Sequence, residues 1–557
     1  MKIFKNILIA TAGMLILSGC SDFLNSDPTL TLVETNYYRT EKDAQTALVG
    51  CYDGLQNIFV KDDLPGLVAP TIMSDECFGG GGTGDGKGDD LIDQFDKTLS
   101  PSDLNMYKVV YQQSYLAIYR CNMLLSKMDQ VTWSSQTTRN QVEAEAKFIR
   151  AYTYFELVKL LGKIPLVVKP VTPTEAAMLA QANTDDIYKL IESDLLFAAE
   201  NAQLKGAKWT DSWAKSNDGH VTVFAAKSML ARVFLFYTGY YNKTTLPDGT
   251  TSTTVTSALQ EVYETNSGHG LVDTYKNMWP AACSSRNATD TITGLSSTYV
   301  GEANKETVWS VKFNSTGVWG NMDGFSGMRL LGMRSGTVKS FGTTVYGDGA
   351  WGCATVNPKF VSTWKTEEPT DPRIVSSIID FKSEGLTLAD KHDQREFTGY
   401  YNKKYTCLGN GTSNIYTKQK LDFQWNEYQD FVVIRYADVL LMLSELTGDA
   451  KYMNEVRKRV GLVDVTYSPE ALRAERKHEL AFEGIRYWDL LRYDYTLKYA
   501  ADAVSFSGTV TNGYGDKTGT AKVIDGQKLV DCRGISQFPN DIISLSNGLL
   551  FQNDGWK

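Results

Sequence analysis

The sequence predicts a mainly α-helical protein, a scaffold of tetratricopeptide-like helix pairs interrupted by a loop-rich, short-strand insertion. Three observations carry this reading. Segments in both the first and last parts of the chain place apolar residues at helical spacing. Two of these segments resemble each other. Between the helical regions, roughly from 245 to 430, the composition turns to Thr, Ser, Gly and Asn.

Taken in order, Glu41–Ile58 and Met106–Met128 are amphipathic at helical spacing. Gln141–Leu161 (QVEAEAKFIRAYTYFELVKLL) is the clearest helix, ended by Gly162 and the extended IPLVVKP. Thr184 is placed as the cap of DDIYKLIESDLLFAAENA, whose acidic residues favour a first turn. Val221–Asn242 is the next helix. Its Ala226, Lys227 and Ala231 repeat the Ala146, Lys147 and Ala151 of the helix at 141–161, and aromatics follow in both. Small residues among aromatics let a neighbouring helix approach closely, as in stacked helical repeats. The period is far from the 34 residues of a tetratricopeptide unit. The repeat is therefore degenerate, and chance likeness of two amphipathic helices is the alternative reading.

The insertion reads as loops and short strands such as ETVWSVKF. It holds six of the eleven Trp: Trp279, Trp309, Trp319, Trp351, Trp364 and Trp425. Several stand beside Gly, where local packing offers little to bury them. Such rings either present a flat face to a ligand or plug the insertion's own core. Helices resume with Val432–Leu446, then KYMNEVRKRVGL, then Glu475–Arg492 (ERKHELAFEGIRYWDLLR).

The first residues carry an address. Lys2 and Lys5 precede the apolar run Ile7–Leu17, which is shorter than the ~20 residues of a membrane-spanning helix. The run fits a secretory signal. It ends in Leu17-Ser18-Gly19-Cys20, which resembles the bacterial lipobox. Residues 1–19 are then a signal peptide and Cys20 carries the acyl chains that anchor the protein. An ordinary signal peptide with a nearby Cys is the alternative. Residues 20–557 are expected to form one domain: a helical part at 20–242, the insertion at 245–430, and a helical part with tail at 431–557.

Composition narrows the function. The formal net charge of -9 disfavours nucleic acid as a partner. Besides Cys20, seven Cys are scattered without CxxC spacing, against a disulfide framework or a structural zinc site. No cofactor is implied, and a structural calcium has no ligand motif behind it.

Two stretches invite chemical readings. Read as one helix, Glu475–Arg492 places Glu475, Glu479 and Glu483 on a narrow stripe flanked by Arg476 and Arg486. Carboxylates with built-in counter-charges do not have the raised pKa that acid catalysis needs. His478-Glu479 lacks the second His of a zinc-protease helix, because Phe482 stands there. The stretch is expected to pack by its apolar face and link neighbours through its charges. GGGGTGDGKGDD (Gly79–Asp90) fails as a phosphate loop, since Gly88 follows Lys87 where a hydroxyl is needed, and its Asp spacing does not match a calcium loop. It is expected to be a mobile loop over a site or interface. Ser74-Asp75-Glu76 just before it either contacts ligand or forms a turn or cap.

Ordered matches along nearly the whole chain resemble the SusD/RagB family of outer-membrane nutrient-binding lipoproteins. They are Ser21-Asp22-Phe23-Leu24 after the lipobox, YLAIYRCNMLL (Tyr115–Leu125), AEAKFIRAYTYFELVKLLGKIPLV (Ala144–Val167), AAKSMLARVFLF (Ala225–Phe236), Asp371-Pro372-Arg373, IRYADVLLM (Ile434–Met442), NEVRKRVGL (Asn454–Leu462), ERKHELAFEGIRYWDLLR and the closing Gln552–Trp556. The departures, LSEL at Leu443–Leu446 and Ile485, touch scaffold detail only. The resemblance implies four tetratricopeptide-like helix pairs with a loop-rich ligand face, no catalysis, a place on the outer membrane facing the cell exterior, and a SusC-like TonB-dependent transporter as partner. It implies capture of a glycan or, alternatively, a peptide. A lipid-anchored glycoside hydrolase is a further alternative, because paired carboxylates cannot be recognised from spacing.

Ligand identity does not carry over, so site candidates rest on chemistry. A sugar ring lies its C–H face on an aromatic ring, and polar groups at the edge bond its hydroxyls. Trp319, Trp351, Trp279 and Tyr299 are the expected stacking residues, with Asp75, Glu76, Asn321 and Arg329 as polar partners. Trp309, in a strand-like run, is expected in the core.

Overall fold

The computed structural model describes residues 37–61, 66–85, 91–96, 98, 105–264, 267–284, 298–314, 323–340, 346–347, 349–408 and 429–557. Cys20 lies outside them, as do Trp319 and Asn321.

The first long helices are α1 (Glu41–Lys61), the short α2 (Val68–Met73), α3 (Lys108–Lys127), α4 (Gln136–Leu161), α5 (Thr184–Asn201), α6 (Val223–Tyr240) and α7 (Ser252–Tyr263). Their ends follow local chemistry. The Ser135 hydroxyl accepts from Thr138 N to open α4, and Gly162, at φ 68°, closes it. Thr222 caps α6 by accepting from Ala225 N. Asn183, not Thr184, is the capping position of α5, and no side-chain bond is made there.

Strands interrupt the helices. β1 (Cys77–Gly80) pairs antiparallel with β3 (Cys353–Val356), and β2 (Thr307–Val311) pairs antiparallel with β6 (Phe431–Arg435). Between them run α8 (Ser326–Leu331), α9 (Pro358–Glu367), β4 (Ile378–Asp380) and β5 (Tyr400–Asn402), the last two an antiparallel pair. The final helices that bear on function are α10 (Tyr436–Thr447), α11 (Ala450–Arg459), α12 (Pro469–Glu479) and α13 (Arg486–Arg492).

Packing follows the chain. α1 lies on α3, α3 on α4, α4 on α5, α5 on α6, α6 on α7, α7 on α10 and α10 on α11. Four helix pairs are thus stacked, the mainly α architecture that the periodicity predicts. Gly54 lets α1 and α3 touch, because a Cβ there would stand 3.0 Å from Ala117 Cα. One apolar cluster runs from Ala44 in α1 to Leu550, through both scaffold and insertion.

Two expected helices take another form. Val432–Leu446 begins as strand β6, and helix α10 starts only at Tyr436. The β-branched run Val432-Val433-Ile434 is buried and pairs with β2, and Tyr436 N is taken by Glu306 O (2.8 Å). The stretch Glu475–Arg492 is also broken. α12 ends at Glu479, Phe482 (φ 61°) and Gly484 (φ 72°) reverse the chain, and α13 starts at Arg486. Distant side chains bind the freed backbone: Phe482 N donates to Glu76 Oε1 (3.0 Å), and Glu479 O accepts from Lys404 Nζ (3.1 Å) and the Arg435 guanidinium (2.5 Å).

The carboxylates of that stretch join neighbours from inside the protein. Glu475, Glu479 and Glu483 are all buried. Arg373 bonds Glu475 (2.5 Å) and Glu479 (2.9 Å); Arg435 reaches Glu306 (2.9 Å), Glu479 and Glu483 (2.8 Å); Lys404 bonds Glu483 (2.7 Å). Burial would raise the Glu479 carboxyl, but Arg459, Arg435 and Arg373 outweigh it and hold it well below the usual range. These groups are a brace between scaffold and insertion.

Candidate functional site

The loop-rich face is built where four segments meet: β1 with its following loop, α8, the turn before β3, and residues 393–396. β1 and β3 bring Gly80 opposite Cys353. Gly81 N donates to Gly352 O (2.9 Å), and Trp351 N donates to Arg329 O at the end of α8 (2.9 Å). The Gln394 amide, buried at the centre, donates to Gly81 O (3.1 Å) and Gly352 O (2.8 Å), and Tyr401 OH donates to its Oε1 (2.9 Å). The glycines are needed for this approach. At Gly80, φ 73°, a Cβ would fall 2.4 Å from the Gly352 carbonyl oxygen.

Two motifs reach the surface of this hub. In the first, the half-buried Trp351 ring lies over the guanidinium of the buried Arg329, with 4.8 Å between its carbon and the ring centroid. In the second, Arg334 bonds Asp85 (2.8 Å), Asp393 (2.9 Å) and the Trp351 carbonyl (3.2 Å), while Thr83 N donates to Asp393 (2.9 Å). Burial would raise the Asp393 carboxyl, but hydrogen bonds from Thr83 and Arg334 leave it below its ordinary value. It is an ionised hydrogen-bond acceptor, not a proton donor. An indole plane beside an ordered Arg–Asp fork has the parts for gripping a polyhydroxylated ring: an apolar face for C–H groups and donors and acceptors at its edge.

Of the expected site residues, the structure brings Trp351 and Arg329 together and places others elsewhere. Trp279 is 1% exposed, its ring against Tyr405 and under Lys404 Nζ (5.0 Å), so it fills the core and offers no face to a ligand. Glu76 is 0% exposed; it braces the turn at Phe482, and burial pushes its carboxyl up to about 8. Asp75 is locked in a two-pronged pair with Arg486 (2.8 and 2.9 Å). Tyr299 is half-buried and donates to Glu302. Trp309 packs edge-on against Phe148 and Tyr152, in the core as expected. Gly79–Gly82, expected in a mobile loop, are buried, with Gly79 and Gly80 in β1. Sequence reasoning missed Arg334, Asp85, Asp393 and Gln394, which only the tertiary fold assembles.

Comparison with known proteins places this geometry. The model of the SusD family matches residues 305–556, and a SusD-like model described as starch-binding, associating with outer membrane, matches residues 92–235. The chain belongs to the SusD family. SusD-like protein P25 of Formosa agariphila is 22% identical over 90% of this chain and 92% of its own. A SusD-like protein of Bacteroides ovatus is 22% identical over 50% of this chain and 48% of its own. Among solved structures, a laminarin-binding SusD-like protein superposes with TM-score 0.69 at 23% identity, covering 93% of this chain and 99% of that one. Surface glycan-binding protein A from Bacteroides thetaiotaomicron, in complex with laminarihexaose, gives TM-score 0.70 at 19% identity, covering 92% and 99%. At these identities the likeness establishes the SusD fold.

Proposed function

We propose that this SusD-family chain is a non-catalytic, cell-surface glycan-binding lipoprotein of the outer membrane. In this reading it is anchored through acylated Cys20 and hands oligo- or polysaccharide to a SusC-like TonB-dependent transporter. The observation that carries the binding reading is the half-buried Trp351 ring on Arg329, edged by the Arg334–Asp393–Asp85 fork. Solved relatives of the same fold described as binding laminarin or laminarihexaose support it. The absence of catalysis is supported by carboxylates at this face that are paired to Arg334 and, for Asp393, held below the ordinary range. Trp319 and Asn321 stay candidate ligand contacts on chemical grounds.

Affinity electrophoresis of the soluble Ser21–Lys557 protein through gels of different polysaccharides, laminarin included, tests the reading. Retardation by one glycan that is relieved in Trp351→Ala supports both ligand class and platform. Retardation that Trp351→Ala leaves unchanged moves the platform elsewhere. No retardation in any gel, with peptide binding in its place, overturns the glycan reading. Sugar release from any polysaccharide by the purified protein overturns the non-catalytic one.

A further inference from the structure

Away from the loop face, a cleft of about 690 Å³ opens between α1, α4, the turn at 217–220 and β2. Its size falls in the range of small-molecule sites, ~300–1,000 Å³. Leu48, Val142 and Val311 give it apolar walls, and the amides of Gln45, Gln56 and Gln141 stand among them.

The cleft has a built polar floor. Glu145, buried in α4, accepts from Tyr52 OH (2.6 Å) and Gln203 Nε2 (2.9 Å), and His220 Nδ1 lies 2.7 Å from its Oε2. Tyr52 OH in turn accepts from Val221 N (2.9 Å). His220 is thereby held in one orientation with its ring part-exposed in the cleft. Strand β2 is irregular here, its register shifting on both sides of Trp309. Such bulges re-aim side chains and gather beside functional sites. Trp309 lines the cleft, is 2% exposed, and its indole N–H has no acceptor among the described residues. A buried donor without a partner is costly.

Charge decides what kind of molecule fits. Each charged side chain lining the cleft already has an opposite partner: Glu145 with His220, Lys312 with Asp218 (2.5 Å) and Asp430, and Asp53 with Arg120. An ionic ligand would find no unpaired counter-charge here among the described residues. A neutral one can bond the amides and the part-exposed imidazole while its apolar face lies on Leu48, Val142 and Val311.

We propose that this cleft is a second ligand site, in the helical scaffold and separate from the loop face, for a neutral polyhydroxylated molecule of mono- to disaccharide size. It stands on the cleft's own residues and does not require the loop face to bind glycan.

Incorporation of 5-fluorotryptophan gives the cleft its own reporter, the fluorine resonance of Trp309, assigned by its loss in Trp309→Phe. Glucose, maltose, cellobiose and laminaribiose are titrated at millimolar concentration. The expected result is a saturable shift of the Trp309 signal with at least one of them. The shift persists in Trp351→Ala, weakens severalfold in Gln141→Ala, and is lost in Val49→Trp. Val49 is exposed and lines the cleft, so the larger ring narrows the opening. No saturable shift with any of the four sugars, a shift that survives Val49→Trp, or one that disappears in Trp351→Ala would overturn the proposal. Failure in the cleft leaves the polysaccharide gels unaffected, so the two readings fail separately.

Discussion

Arg486 and Asp75 stand 411 residues apart in the sequence and meet in a bidentate ion pair, at 2.8 and 2.9 Å. The pair ties the start of α13 to the segment leading into β1, so Asp75 is a brace. Arg486→Ala should therefore lower stability by about 2 kcal/mol, the usual loss for charge-assisted hydrogen bonds to a part-exposed carboxylate. Urea unfolding measures it. Asp75→Asn should weaken the fold and leave retardation in a glycan gel intact. Lost retardation with unchanged unfolding would return Asp75 to the ligand contacts.

Glu76 carries a pH signature. Its folded pKa, about 8, lies above its ordinary value because the carboxyl is buried, and its Oε2 has no hydrogen-bond partner among the described residues. The folded state therefore holds a proton that the unfolded chain releases near pH 4.5. Stability from this group is complete below that pH and declines as pH rises towards 8, by up to about 1.4 kcal/mol per pH unit. Glu76→Gln should flatten the stability profile between about pH 5 and pH 8. An unchanged slope would mean that Glu76 is ionised in the fold.

Glu479 has the opposite sign. Its carboxyl is held well below the usual range, so its contribution is present above the unfolded pKa and is lost on acidification. Glu479→Gln should cost about 3–5 kcal/mol at neutral pH, since Arg373, Arg435 and Arg459 lose a shared counter-charge. The deficit against wild type should shrink in strong acid. Thermal melts from pH 7 to pH 2 would show whether the two proteins converge.

Trp279 and Trp351 should separate fold from binding. Trp279→Ala empties a core site and should cost about 3–5 kcal/mol. Trp351→Ala, half-buried, should cost less in stability and weaken glycan binding about tenfold, or 1.4 kcal/mol. Paired unfolding and binding measurements check both. Equal loss of stability in the two variants would deny Trp351 a special role.

What was legible in the sequence was what local spacing controls. α4 and α6 announce themselves as long runs rich in apolar and small residues, buried at most positions along their central turns, and Gly162 marks a stop that needs no distant partner. β6 was misread as helix because a run of Val and Ile satisfies either period, and only its pairing with β2 decides. The break at Phe482 depends on Glu76, Lys404 and Arg435, none of them local. The same reason hid the Arg334 fork, whose partners stand 59 and 249 residues away. Trp279 was misplaced because a loop-like neighbourhood in sequence says nothing about Tyr405 arriving to cover the ring.

The pairing of β2 with β6 has an architectural consequence. Val311 lies opposite Phe431, so the chain leaves the scaffold and returns to it at one doorway. What lies between is a head that shares the apolar core of the scaffold, its socket, and pairs β3 with β1. Its fastening is electrical as well as hydrogen-bonded, because Arg373 and Lys404 of the head plug into Glu475, Glu479 and Glu483 of the socket. A head of different length and different taste would have to bring its own two cationic pins and its own share of the common apolar core.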